Sequence, residues 1–303
     1  MTNLQAQKIK AIALTVTDID RSLIFYTKAL HFELISDNIV AENFSDHSGE
    51  LRNSKIRIAT LKLGDENIRL MQYLDQQGKP IPQDAKSNDL WFQHLAIVVS
   101  NMDRAYTHLQ SFAIEPISTA PQTIPPENQA AAYIQAFKFR DPDRHPLELI
   151  CFPPDKGQEK WHQKSEQLFL GIDHTAIAIA NTDQSLHFYR DFLGMQVEGG
   201  SFNWGETQAR LDGLPQAKVR ITALRPTQGG LGIELLDYIE PATGRPMPSD
   251  LQPYDTAYMQ VELVAKLSDR SSAPSSLIKD PTGHCIRLST ESSHSESLGG
   301  FHG

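Results

Sequence analysis

Two glutamates stand where carboxylates are expensive. Glu148 lies in PLELI and Glu234 in GIELL, apolar runs whose length and flanking turns predict strands. An ionised carboxylate buried in such a strand is costly unless it meets a cationic side chain or a metal ion. One such glutamate does not choose between an internal arginine partner and a ligand role. Two histidines stand in similar sequence, His94 in WFQHLAIVV and His174 in GIDHTAIAI, where a lone imidazole is more often a satisfied core residue. As residue types, imidazole and carboxylate suit a first-row divalent ion such as zinc, nickel, manganese or iron, but nothing in these runs alone assigns the four to one site. The two cysteines, Cys151 and Cys285, give neither a disulfide framework nor a zinc spacing. Both fall on predicted strands and read as buried free thiols of a reducing compartment.

The elements that must position these residues repeat along the chain. KIKAIALTVTDIDRSLIFYTKALHFELIS from Lys8 matches GIDHTAIAIANTDQSLHFYRDFLGMQVEG from Gly171. Each copy opens with an alternating apolar strand, turns at Asp18 or at Thr182 and Asp183, whose oxygens can cap a helix, and continues into a helix carrying Phe25–Tyr26 or Phe188–Tyr189. The match runs on: Ile56–Leu63 answers Val219–Arg225, Ile68–Tyr73 answers Ile233–Tyr238, and GKPIPQD at Gly78 answers GRPMPSD at Gly244. WFQHLAIVV then meets AYMQVELVA, so that His94 corresponds to Gln260. DPDRHPLELI from Asp141 corresponds to DPTGHCIRLS from Asp280. The repeat predicts an α+β chain of four βαβββ units, near 8–76, 90–153, 168–240 and 256–291. The fourth is short, so its helix is expected to be reduced or lost. The expected organisation is a first half over 1–157, a polar linker over 158–167 that is helical in part, a second half over 168–291, and a disordered tail over 292–303 rich in Ser, Gly and His.

With 28 basic and 37 acidic residues the formal net charge is −9. The Lys and Arg form no stripe, which argues against nucleic acid and acidic membrane surfaces as partners. A polar N-terminus and the lack of any run of about 20 apolar residues predict a cytoplasmic protein, monomer or homodimer, acting on a small molecule.

A strand, a helix with an FY pair ending near LGM or LHF, and three strands closing on DPDxHxLEL together resemble the vicinal oxygen chelate superfamily. It includes glyoxalase I, methylmalonyl-CoA epimerase, extradiol dioxygenases and metal-free bleomycin-resistance proteins. The resemblance implies that pairs of units curl into sheet cups, with metal ligands supplied by a His early in a unit's first strand and a Glu in its last. On those positions unit two has His94 and Glu148, and unit three has His174 and Glu234. Unit one has Ala11 and Arg69 instead, and unit four Gln260 and Arg287. Were consecutive units to pair, each cup would receive one His and one Glu. A crossed pairing of two with three and one with four puts all four in one cup, and this is the arrangement expected.

Four protein ligands leave two octahedral positions for substrate or water. The resemblance then implies a glyoxalase- or epimerase-like lyase or isomerase. The metal would stabilise an enediolate or enolate oxygen while Glu148 or Glu234 moves a proton. An extradiol-type dioxygenase, which needs three open positions, is the alternative enzyme, and a metal-free ligand-binding or resistance protein the alternative outside catalysis. In the other cup Arg69 and Arg287 would repel a cation, and are expected either to pair internally, for example with Glu262, or to hold an anion. His145 and His284 read as turn residues, His187 as a helix-surface residue, the FY pairs as packing, and Gly199–Gly200 as a turn with no phosphate-binding helix behind it. His294 and His302 are ascribed to the composition of the tail.

Overall fold

The computed structural model describes residues 4–45, 51–242, 244–267 and 276–289. Unit one comprises β1 (Leu4–Thr15), α1 (Ile19–Lys28), β2 (Glu33–Ser45), β3 (Leu51–Leu63) and β4 (Glu66–Tyr73). Unit two comprises β5 (Gln93–Val99), α2 (Met102–Leu109), the short β6 (Glu115–Pro116) and β7 (Gln122–Thr123), β8 (Gln135–Arg140) and β9 (Pro146–Cys151). Unit three has β10 (Phe169–Ile179), α3 (Thr182–Leu186, continuing as a π-helical turn over His187–Phe192), β11 (Gln196–Trp204), α4 (Gly205–Asp212), β12 (Ala217–Arg225) and β13 (Gly232–Glu240). Unit four has β14 (Met259–Leu267), β15 (Ser276–Lys279) and β16 (Cys285–Ser289). The expected loss of its helix concerns residues 268–275, and the expected disordered tail residues 292–303; both lie outside the described residues. No helix of the described residues is long and apolar enough to cross a membrane.

The units pair across the chain. One sheet runs β15-β16-β14-β1-β4-β3-β2 and joins units four and one; the other runs β11-β12-β13-β10-β5-β9-β8-β6 and joins units three and two. The seams are antiparallel, with Ala13 opposite Gln260 and Ala11 opposite Glu262 in the first sheet, and Ala176 opposite His94 and His174 opposite Ala96 in the second. Crossed pairing is therefore the architecture, and the two sheets share one register.

Side chains alternate across a strand, and each first strand is buried on both faces, one of them apolar. Leu95, Ile97 and Val99 enter the large core that also takes Ile12 and Leu14 from β1, Phe137 and Phe139 from β8, and Tyr26 and Tyr189 from the helices. The intervening residues, His94, Ala96 and Val98, point into the cup. Helix entry is fixed by short polar caps: the side chains of Asp18, Asn101 and Asn181 accept from the backbone N–H of Arg21, Arg104 and Gln184. For α3 the cap is thus Asn181, one residue ahead of the expected Thr182, whose hydroxyl instead donates to Asp237 at 2.6 Å.

The FY helices have a packing role with a polar anchor. Tyr26 Oη donates to Asp141 at 3.0 Å, and Tyr189 Oη to Asp280 at 3.1 Å. The same aspartates accept the backbone N–H groups of their own turns, including those of His145 and His284. His145 and His284 are accordingly turn residues, and His187 is an exposed residue of the π turn.

The Gly199–Gly200 reading needs correction. Both lie inside β11, next to a bulge between Val197 and Gly199, and no turn forms there. Gly199 has φ +151°, and a Cβ on Gly200 would meet the Ile221 carbonyl oxygen at 2.3 Å, so the strand crosses this point only with glycine. A helix does follow β11: α4, capped at Gly213 with φ +63°.

Candidate metal centre

The strand alternation carries His94 on β5, Glu148 on β9, His174 on β10 and Glu234 on β13 to the concave face of one sheet. All four line a single cavity of about 410 Å³. Ligand atoms of His94, Glu148 and His174 lie within 4.8 Å of one another. His94 Nε2 stands 2.7 Å from Glu148 Oε2, and His174 Nε2 stands 4.0 Å from that oxygen and 3.3 Å from Glu234 Oε2. The positions that lack ligands are equally explicit. Arg69 Nη1 meets Glu262 Oε1 at 2.8 Å, and Arg287 Nε donates to Gln260 Oε1 at 2.9 Å. Internal pairing accounts for Arg69 as one of the two expectations had it, so we assign no anion to that cup.

The chemistry of the donor set fits a divalent ion. His94 Nε2 and His174 Nε2 are buried with only carboxylate oxygens beside them, Glu148 at 2.7 Å and Glu234 at 3.3 Å, and His94 Nδ1 is without a hydrogen-bond partner. Buried polar nitrogens are rarely left so, because each forfeits its interaction with water. Nitrogen and carboxylate oxygen donors in this number are what zinc, nickel, manganese or iron would take.

His174 is oriented from behind. Its Nδ1 lies 3.0 Å from Asp173 Oδ2, and Asp173 Oδ1 accepts from Trp161 Nε1 and Gln158 Nε2, both at 2.8 Å. Arg225 adds a guanidinium 3.7 Å from Asp173 Oδ2. Adjacent strand residues ordinarily face opposite ways; a register shift between Ile172 and His174 is the local irregularity at which Asp173 reaches its neighbour. Trp161 belongs to a short 3₁₀ turn, Glu159–His162, in the segment joining the halves. Lys160 of that turn pairs with the buried Glu66 of β4, so the segment ties the first sheet to the dyad behind His174.

The four groups differ in charge preference. Burial pushes the His94 imidazole down to about 4 despite Glu148 beside it. Burial also opposes charge on His174, but Glu234, Asp173 and Glu148 outweigh it and hold the ring up to about 9. Glu148, though buried, is drawn down to about 2 by His94, Lys138 and His174. Glu234 goes the other way: burial raises it, and the neighbouring carboxylates Glu148 and Asp173 add to the rise against His174. Its side chain is 25% exposed, against 8% for Glu148.

Several residues of the cavity escaped the sequence reading. Lys138 on β8 lies opposite Glu148 in register, buried, with Nζ 2.6 Å from Asp212 Oδ1 at the end of α4. Gln208 of α4 donates to Asp212 Oδ2 at 2.7 Å. A lysine between two phenylalanines in QAFKFR was a visible sign; the helix that supplies its partner was not.

The protein belongs to the Glyoxalase/Bleomycin resistance protein/Dioxygenase superfamily, whose family profile matches residues 8–149 and 171–270. Among solved structures, glyoxalase I from Zea mays superposes with a TM-score of 0.62 at 13% identity, covering 95% of this chain and 93% of that one. A candidate dioxygenase from Bacillus subtilis superposes with a TM-score of 0.58 at 11% identity, covering 94% and 86%. At these identities the likeness is one of fold. No curated protein matches the sequence.

Proposed function

We propose that the cup formed by units two and three is a metal-dependent active site that moves a proton on a small oxygenated substrate, a lyase or isomerase of the glyoxalase or epimerase kind. The observation that carries this reading is the convergence of four separate strands on one cavity, with two imidazole Nε2 atoms turned to two carboxylates there. His94, Glu148 and His174 would hold the ion, with Glu234 beside it; a bound divalent ion supplies a Lewis acid that stabilises negative charge on a substrate oxygen.

The remaining chemistry belongs to the chain. Glu148 is enclosed between His94 and the Lys138 strand and strongly prefers its charged form, which suits a fixed ligand and not a proton carrier. Glu234 is the more open carboxylate and the one whose proton affinity is raised, as a general base requires. Asp173 keeps the His174 ring turned with Nε2 toward the cup. The apolar walls, among them Ile134, Ile221 and Leu236, keep water from the reacting carbon. The test is proton exchange under nitrogen. Metal-loaded protein in deuterium oxide with small 2-hydroxycarbonyl compounds is expected to place deuterium at the carbon beside the carbonyl, and Glu234→Gln to abolish it with the ion retained.

A second reading has one observation in its favour. The three residues that cluster most tightly, His94, Glu148 and His174, form the two-histidine, one-carboxylate set that suits iron(II) oxygen chemistry. Consumption of dioxygen with a catechol, and no deuterium exchange, would move the protein to the dioxygenase class.

A further inference from the structure

The cavity has a second polar centre that the reaction as described does not use. Lys138 projects from β8 on the same face as Glu148, its neighbour in register, and lines the cavity with the four proposed ligand-set residues. Its ammonium is buried and meets Asp212 Oδ1 at 2.6 Å. An ammonium has three N–H donors, and the hydrogen bond to Asp212 uses one. Across the same carboxylate, Gln208 donates from Nε2 to Asp212 Oδ2, which fixes the amide and leaves its buried Oε1 without a partner.

The helix that brings Asp212 and Gln208 here covers the cup. The Ser118 hydroxyl donates to Leu211 O at 2.6 Å and that of Ser87 to Asp212 O at 2.8 Å, so unit two and the segment leading into it grip a helix of unit three through its last turn. A cation held at this depth, beside a cavity and with donors to spare, is built to meet an anion. Burying an ammonium is costly; Asp212 returns part of that cost through a hydrogen bond, and Glu148 and Glu234 through charge alone, without taking up its remaining N–H donors.

Resting on the metal-site reading above, we propose that Lys138 is the residue that selects the substrate's head group: a small oxygenated molecule bearing a carboxylate, one of whose oxygens accepts from Lys138 Nζ while its adjacent oxygens face His94, His174 and Glu148. Asp212 and Gln208 hold the ammonium in place, and neither touches the head group. The ion pair's other purpose, pinning α4, makes a different forecast for the two probes, since loss of pinning disturbs the cup for any chelator and loss of anion recognition weakens the carboxylate alone.

Oxalate and acetohydroxamate are suitable probes, both chelators of similar size and the first the more highly charged. Their affinities are measured by calorimetry on zinc-loaded protein for wild type, the apolar pair Lys138→Met with Asp212→Leu, and Asp212→Asn, with zinc content and thermal unfolding recorded for each. Removing a charge-assisted hydrogen bond is expected to weaken oxalate roughly tenfold or more in the apolar pair. Acetohydroxamate should change less than about twofold there, and Asp212→Asn should retain oxalate binding. Equal losses for both probes, equal losses in both variants, or no loss at all would overturn the assignment to Lys138. Wild type that takes up no zinc would sink the metal-site reading and this inference with it, an outcome distinct from zinc retained with oxalate affinity unchanged.

Discussion

The two sheets place the same positions in the same register and fill them with opposite chemistry. In the sheet of units two and three, His94 lies opposite Ala176, and Glu148 and Glu234 pair in parallel with Ala96 and Ala176. In the other sheet Gln260 lies opposite Ala13, and Arg287 and Arg69 pair with Glu262 and Ala13. Both glutamates have become arginines, both histidines have lost their imidazole, and a small residue, Ala96, has become the acidic Glu262. The arginine cup thereby supplies one counter-charge and one neutral acceptor: Arg69 closes on the Glu262 carboxylate, and Arg287 donates to the Gln260 amide oxygen. The histidine cup presents two carboxylates and two imidazoles to a cavity of about 410 Å³. The same register at the seam thus carries one site closed by its own side chains and one that, on our proposal, takes a cation, and the difference lies in side chains at five register positions.

Making the second cup resemble the first in charge is the most drastic way to break this contrast. Glu234→Arg, which copies Arg69, is expected to abolish ion binding, more than about a hundredfold in affinity, because a guanidinium then faces the ion in a buried site. Metal titration of the folded variant checks it. A smaller loss is expected from Asp173→Asn, which leaves every ligand atom in place but weakens the bond orienting His174; affinity should fall about 10–100-fold. Trp161→Phe should act in the same direction and less strongly, since Gln158 still holds Asp173.

The converse change belongs to the arginine cup. Arg69→Ala leaves the largely buried Glu262 without its ion pair. The cost should be about 1–3 kcal/mol, below the range for a fully buried pair because the Arg69 side chain is 30% exposed. Denaturant unfolding would measure it, and the metal content should not change. A fall in metal content would mean that the two cups are coupled.

The pH dependence gives the finest distinction. In the metal-free protein His174 holds its proton up to about 9 whereas His94 has lost its own above about 4. Near neutral pH an incoming ion therefore displaces a proton from His174 and none from His94, about one proton per ion. Affinity should rise with pH up to about 9 and level off above it; calorimetry in buffers of different ionisation enthalpy reads the proton directly. Stability of the metal-free protein should run the other way. A histidine whose folded-state value is raised contributes fully below its unfolded value of about 6.5 and loses that contribution as pH rises through about 9. His174→Ala should flatten that limb of the profile.

Much of this was legible because the chain repeats. Matching GIDHTAIAI to KIKAIALTV, and DPDRHPLELI to DPTGHCIRLS, assigned equivalent positions before any contact was known, and the unequal distribution of His, Glu and Arg over them implied crossed pairing. What stayed hidden depends on local irregularity and long-range packing. Asp173 reaches His174 at a register shift that no period-2 pattern encodes. Trp161 looked like part of a polar linker, yet it is buried against Ala96, Val98 and Ile150 and holds Asp173 through its indole N–H. α4 was missed because GETQARLD has only Leu211 and Ala209 as apolar residues, too few for a periodic signal; its buried face is completed by Gln208 and Asp212, which bond each other, and Asp212 finds its charged partner, Lys138, on another unit. Gly199–Gly200 misled for the related reason that paired glycines signal turns more often than bulges.

The central claim, that one cup holds a divalent ion and the other does not, is tested most directly by elemental analysis of the protein purified without added metal and then after dialysis against zinc. The expected result is about one ion per chain in wild type, none in His94→Ala or His174→Ala proteins that remain folded, and about one in Arg69→Ala. Retention of the ion by both histidine variants, or two ions per wild-type chain, would contradict it.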